Sequence, residues 1–478
     1  MALKTEREKT AHLLRRFGLG ASEAELDYYG KDGHKGAIDR LLAFAEAEEG
    51  ASFDVQDLAN QNGQINMKAV QIGWYLRIVA TRRPLQEKLT LFWHDHFATS
   101  AAKVDAPMAM HDQVQILREN CCGRFQDLLT KVSKDPAMLY WLDNQFNVKG
   151  KPNENFAREV MELFTLGIGH YTEKDVQEAA RAFTGWSFGI GPRAIKPEKP
   201  LRRARFVFRE NEHDTGVKTI LGNTGPFDGD DVLGILCGNP RTAEYITEKM
   251  WEWFAYPQPE KAILDRLAAR FRESGLNIAT LVRAIMESPE FYSEKAERAI
   301  YKNPIDFCVA TYRQLGIGER ILTSLKEIPD DQPKLRAMAP VNGLTLATKA
   351  MGMELLFPPD VAGWDTGEGW ISSATMVERI KWAERLFGPA TLGRLVPGAA
   401  RAPSIRYPAA QLIEGLPPSE AVDKIVSIFD AALPAAKIDQ LRKAAETESG
   451  GVVTNGNANA VALAICRLIF AAPEFQFC

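Results

Sequence analysis

The 478-residue chain is poor in the residues and patterns on which most chemistry-bearing motifs depend. It has seven histidines and six cysteines, and no two cysteines form a CxxC pair, which removes the usual basis for a zinc ribbon or thioredoxin-type motif. The vicinal Cys121 and Cys122 read as thiols in a helical layer rather than as a strained disulfide. No stretch approaches the roughly 18 uncharged apolar residues of a spanning helix, so no membrane span is expected. The opening "MALKTEREKTAHLLRRF" is charged almost from its start. It lacks the apolar core and small-residue cleavage site of a signal peptide, so the sequence as written suggests a cytoplasmic protein. A net charge of −4 provides no global basic field, and no nucleic-acid partner is expected. There is no P-loop, no GxGxxG after a strand, no GxSxG elbow and no HExxH, so nucleotide-dependent and standard serine-hydrolase readings have no support.

What is present is an ordinary globular balance, 45% hydrophobic and 25% charged, on a chain long enough to bury a large core. Helical periodicity dominates. After "NMKAVQIGWYLRIVAT" and "PLQEKLTLFWHDHFA", it predicts helices over 107–119, 122–133, 153–166, 173–184, 240–254, 258–274, 277–287, 300–315, 374–387, 418–430, 435–447 and 457–470. Pro84 suits the first turn of its helix, and Thr172 with Asp175 forms a capping box. One segment reads as strand: "RFVF" (205–208) and "VKTILG" (217–222) flank "RENEHDTG" as a β-hairpin, with Gly216 supplying an unusual backbone angle. The expected fold is mainly α, a multi-helix array with one β-hairpin excursion near 205–222. The expected organisation is a main helical body over 1–390 carrying a hairpin insertion at about 188–225, then a C-terminal helical unit over 391–478 after a linker at 388–408. "RAIMESPEF" and "RLIFAAPEF" share a helix-stop pattern, read either as convergent stop chemistry or as an old duplication.

The motif "LFWHDHF" (91–97) contains two of the seven histidines. On a helix turning about 100° per residue, His94 and His96 point to opposite faces and cannot share a metal. His96 continues the stripe of Leu85, Leu89 and Phe92, while His94 shares a face with Glu87 and Leu91. Each is read either as a buried histidine bonded across helices or as a ligand or general base. In "PNENFAREVMELF", Asn153 is placed to cap the helix. Asn155, Glu159 and Glu162 form a polar stripe, and Arg158 is four residues from Glu162, the spacing of a helical ion pair. The two glutamates suit metal binding or a division of acid and base roles, or else a solvated face. His213–Asp214 lies in the hairpin connection, as a turn Asp beside a solvent histidine or as part of a site. Trp364 and Trp370, in a Gly-rich loop, either stack on a flat ligand or plug the core.

In order along the chain, "AHLLRRFGLGAS", "PLQEKLTLFWHDHFATS", "DPAMLYWLDN", "PNENFAREVMELFTLGIGHYTEKDVQEAARAFTGWSF", "HDTGVKTILG", "LLFPPDVAGWDTGEGWISSATMVER" and "PEFQ" resemble a bacterial family catalogued as domain of unknown function 1800. The resemblance spans nearly the whole chain. It implies a large, mostly helical protein without a settled activity. Family members are often exported, with twin-arginine type signals, and this chain departs from that pattern. The resemblance also implies a partner of the domain of unknown function 1501 family, whose members resemble sulfatases. The characteristic polar positions it carries onto this chain are His94, His96, Asn153, Asn155, Arg158, Glu159, Glu162, His213 and Asp214.

Two readings follow. The first is an enzyme, hydrolytic or oxidative, with a polar cleft between helices. In it His94, His96, Asn155, Arg158, Glu159 and Glu162 are catalytic candidates, and His94, Glu159, Glu162, His213 and Asp214 are candidate ligands for a divalent or iron-type metal. The second is a non-catalytic scaffold or binding protein in which the same groups form a structural network.

Overall fold

Helix boundaries follow the punctuation of the sequence. In the computed structural model, which describes residues 3–50, 54–60, 62–190, 193–194, 204–328, 338–387 and 408–478, there are twenty-three α-helices. Thr5 and Glu8, Thr172 and Asp175, and Asp228 and Asp231 close reciprocal capping boxes. Prolines open the helices Pro84–His96, Pro107–Asn120, Pro240–Phe254 and Pro304–Gln314, where a missing N–H costs nothing. The mainly α expectation holds.

Two helices are buried almost all round and form the centre. Met67–Ala80 and Pro84–His96 bury nearly every side chain, including Glu87, Lys88 and His94. Met67–Ala80 has no polar face and must be surrounded, while the buried polar groups of Pro84–His96 each need a partner from the elements around it. Met67–Ala80 is covered by Pro304–Gln314, Ile317–Lys326 and Ala339–Ala350, and Pro84–His96 by Gly33–Leu42 and Pro107–Asn120. Toward the C-terminus, Ser373–Phe387, Pro418–Ile428 and Ala435–Ser449 all pack on Ala458–Ala471. The linker expected at 388–408 lies almost entirely outside the described residues. Both "PEF" segments form the same device. A short helical turn after the helix buries Phe291 and Phe475, and each donates its N–H to the carbonyl three residues back, that of Ser288 and of Ala472.

The small β component pairs differently from the expected hairpin. Strand β1 (Trp186–Ile190) is central to an antiparallel sheet with β2 (Arg193–Ala194) and β3 (Arg205–Phe208), in the register Trp186 to Phe208 and Gly189 to Arg205. Strand β4 (Lys218–Ile220) pairs instead with β5 (Asn223–Gly225). Leu221 and Gly222, at φ 49° and 79°, make the two-residue turn with positive φ at both positions that matches strand twist. Segments 205–208 and 217–222 are kept apart because the connection between them is pinned. Glu210–Glu212 forms a helical turn, and His213 and Asp214 are bonded to Thr184 and Arg181. Gly216 does not supply the unusual angle. Its missing Cβ leaves room for the Arg181 guanidinium, whose Nη2 would lie 2.8 Å from a Cβ there.

Candidate functional site

The "LFWHDHF" segment ends the central helix, and its three polar side chains diverge. His94 is fully buried, and its Nε2 accepts the backbone N–H of Leu356 at 3.2 Å. The proton is thereby assigned to Nδ1, which has no hydrogen-bond partner among the described residues. The ring packs on Trp74 and Trp364, at centroid distances of 5.1 and 5.4 Å. The lone pair a metal would take is thus already engaged. Burial pushes the imidazole pKa down to about 3, so it is neutral at physiological pH. His96 points elsewhere, as the helical geometry predicts. Its Nε2 donates to the Phe164 carbonyl at 3.2 Å, and its ring lies among Phe92, Phe97 and Tyr245. Burial and the nearby Lys249 ammonium lower its pKa to about 3, against the opposing pull of the Phe164 carbonyl.

Asp95, between them, is the residue that sequence reasoning passed over. Its Oδ1 accepts the Trp364 N–H at 2.9 Å, and burial raises its pKa to about 7. Gly363 makes this contact possible. It has φ 92°, and a Cβ would meet both Oδ1 of Asp95 and its carbonyl oxygen, the latter at 2.7 Å. The signal available was an Asp between two histidines, matched to a distant "AGW". Trp364 and Trp370 are both buried, so they plug the core beneath their loop.

The glutamate stripe belongs to the helix Asn155–Glu162, which starts later than expected. Asn153 still acts at its start, its Oδ1 accepting the Asn155 N–H at 3.0 Å. The predicted Arg158–Glu162 pair does not form. Arg158 makes a bidentate pair with Glu173, at 2.8 and 2.7 Å, and reaches Glu154 at 3.2 Å, while Glu162 accepts the Tyr171 hydroxyl. Glu159 is half-buried, and its carboxylate carries no hydrogen bond among the described residues. Burial, then repulsion from Glu162, raises its pKa.

Asparagines tie this helix to its neighbours. Asn155 Nδ2 donates to the Leu142 carbonyl and Asn153 Nδ2 to that of Asp143. Asn147 accepts the Asn153 N–H at 2.9 Å and donates to the Ala180 carbonyl, also at 2.9 Å. Asn144 donates to the Trp186 carbonyl at 3.0 Å. Asn144 and Asn147 were not singled out in the sequence, where only the spacing of asparagines through "DNQFNVKGKPNEN" hinted at them. At the far end of this layer, His213 Nδ1 donates to the Thr184 carbonyl at 2.9 Å. Asp214 forms a fork with Arg181, at 2.9 and 3.2 Å, which holds its pKa down at about 2.

The candidate ligands His94, Glu159, Glu162, His213 and Asp214 are not brought into one cage. Among the described residues no group of three or more His, Cys, Asp or Glu side chains is placed to hold a metal ion. All six cysteines are free, so Cys121 and Cys122 are thiols. Among the described residues no helix is long and apolar enough to cross a membrane.

A family whose description is "Protein of unknown function (DUF1800)" matches residues 12–477, nearly the entire chain. No curated protein matches the chain, and no solved structure does.

Proposed function

The chain belongs to the DUF1800 family, and from that premise we propose that it is a non-catalytic scaffold or binding protein whose polar signature is a structural network. One observation carries this reading. Of the nine signature side chains, all but Glu159 are bonded inside the chain: His94, His96, Asn153, Asn155 and His213 to backbone groups, and Arg158, Glu162 and Asp214 to side chains. Such bonds join segments that propensity alone does not bring together, and they specify one packing of the helices. Phe146, Ile168, Phe208 and Val217 expose large apolar side chains on segments next to this network, which suits a contact surface. A protein of the domain of unknown function 1501 family is the partner implied by the resemblance.

A second reading, a metal-dependent hydrolytic or oxidative enzyme, is favoured by Glu159. A half-buried carboxylate without a hydrogen bond, beside Glu162, is what an acid/base pair or an oxygen-ligand pair would leave in the unliganded chain. Elemental analysis of protein purified without added metal separates the two. The scaffold reading expects substoichiometric metal, unchanged in Glu159→Ala. Stoichiometric metal that is lost in a folded Glu159→Ala variant would overturn it in favour of the enzyme.

A further inference from the structure

Away from the signature, a small cavity lies where the helix Glu6–Arg16 and the segment 298–306 meet the C-terminal helices. It holds about 20 Å³ and is lined by Arg15, Arg298, Lys302, Asp306, Asp430 and Cys478. That is room for one or two water-sized groups. Lys302 is firmly placed. Its N–H donates to the Gln476 carbonyl at 2.7 Å, and its own carbonyl accepts from Arg379 at 2.8 Å. The side chain is 7% exposed, and Nζ lies 3.6 Å from the centre of the Phe475 ring. Among the described residues Nζ has neither a hydrogen bond nor an ion pair. An ammonium with three donors and no acceptor is costly to bury, whereas a neutral amine is not.

The surrounding charges explain why no carboxylate answers it. Asp306 is paired with Lys88, and Asp430 is shared by Arg15 and Arg298. Arg16, whose Nη1 is 4.0 Å from Cys478 Sγ, adds a further guanidinium. Burial first, then Arg298, lowers the Lys302 pKa to about 7, with Arg15 acting in the same direction and Cys478 and Asp430 opposing. Among the described residues Arg15 Nε is buried without a partner, and Arg298 donates only through Nη2, to Asp430. The site therefore combines an amine that is partly free of its proton near neutral pH, spare guanidinium donors, an excess of positive charge and space for a very small electrophile.

We propose that Lys302 is a carbamylation site, its Nζ adding carbon dioxide to form a carbamate held by Arg15 and Arg298. The nitrogen lone pair forms the N–C bond, one C=O π pair moves onto oxygen, and one proton leaves the nitrogen for solvent. An uncharged amine becomes a monoanion where positive charge is in excess, and the two new oxygens accept from donors that lack partners. Carbon dioxide, linear and three atoms long, is of the size that this cavity admits. The modification would tie residues 15, 298 and 302 together and make the fit of the C-terminal helices responsive to carbon dioxide.

The test uses the full chain equilibrated with isotope-labelled bicarbonate near neutral pH, trapped with a trialkyloxonium salt and mapped by mass spectrometry. The expected result is an alkoxycarbonyl label on Lys302, lost in Lys302→Arg and reduced in Arg298→Met, with both variants checked for fold by circular dichroism. Label confined to the chain's amino terminus or to surface lysines in the unmutated protein would overturn the proposal, whether or not the variants fold. A bound-bicarbonate signal without covalent label on Lys302 would overturn it too, leaving only a non-covalent anion site.

Discussion

His94 accepts the backbone N–H of Leu356, 262 residues further along the chain, and Leu356 holds a left-handed φ of 70°. The Leu356 carbonyl accepts the Ala101 N–H at 2.7 Å, and Gln71 donates to the neighbouring Leu355 carbonyl at 2.8 Å. A bulky residue at positive φ is strained and persists only where its surroundings fix it. The histidine of the most suggestive motif thus holds a strained turn against the central helix.

Replacing His94 tests that role. His94→Ala removes a buried ring and leaves the Leu356 N–H without an acceptor, at a cost of about 3–5 kcal/mol. His94→Gln, which can offer an acceptor, is expected to recover part of that loss. Denaturant unfolding of the two variants and the parent checks the order.

The buried histidines and Asp95 give opposite pH dependences. The folded pKa of His96, about 3, lies below its unfolded value near 6.5. Its contribution is present above that unfolded pKa and disappears as the pH falls toward the folded one. The melting-temperature gap between the parent and His96→Gln should therefore narrow on acidification from pH 7. For Asp95 the folded value, about 7, is raised. Its contribution is complete below about pH 4 and is lost as the pH rises through 7. Asp95→Asn keeps an acceptor for Trp364, so it should gain on the parent as the pH rises from 4 to 8. Melting curves across that range that stay parallel would contradict both signs.

Gly363→Ala should destabilise by about 2 kcal/mol or more, because the new Cβ adds strain at positive φ and meets the Asp95 backbone as well as its carboxylate. Asp95→Ala in the same chain should relieve only the side-chain part, so a double-mutant cycle should show partial coupling.

Two arginines that look alike in sequence should behave differently. Arg158 pairs with Glu173 and Glu154 at the surface, and Arg158→Met should cost under about 1 kcal/mol. Arg118 neutralises Glu87, which is fully buried and also accepts the Trp74 indole N–H at 3.2 Å. Arg118→Met strands that carboxylate and should cost about 3–5 kcal/mol. Thermal unfolding of the two variants side by side measures the contrast.

Local chemistry was legible along the chain. Pro240–Phe254 spans the predicted helix, Thr172 and Asp175 close the predicted box, and the opposed faces of His94 and His96 follow from helical rotation alone. Each is decided within a few residues, where backbone geometry and capping carry the free energy. The choice of partner was decided only by the tertiary structure. Arg158 had Glu162 four residues away, but Tyr171 occupies that carboxylate and Glu173 offers the better fork. Strand β3 had a strand ahead of it and paired with the one behind, because Thr184 and Arg181 anchor His213 and Asp214. Asp95 finds its donor at Trp364 and Lys302 its arginine neighbours at 15 and 298 only when distant helices pack. The sequence by itself determined most of the long helices, though not Glu23–Gly30, Gly33–Leu42, Gly229–Gly238, Ile317–Lys326 or Ala339–Ala350. Which buried polar group meets which was set by competition among groups remote in sequence, and that competition is resolved only in the folded packing.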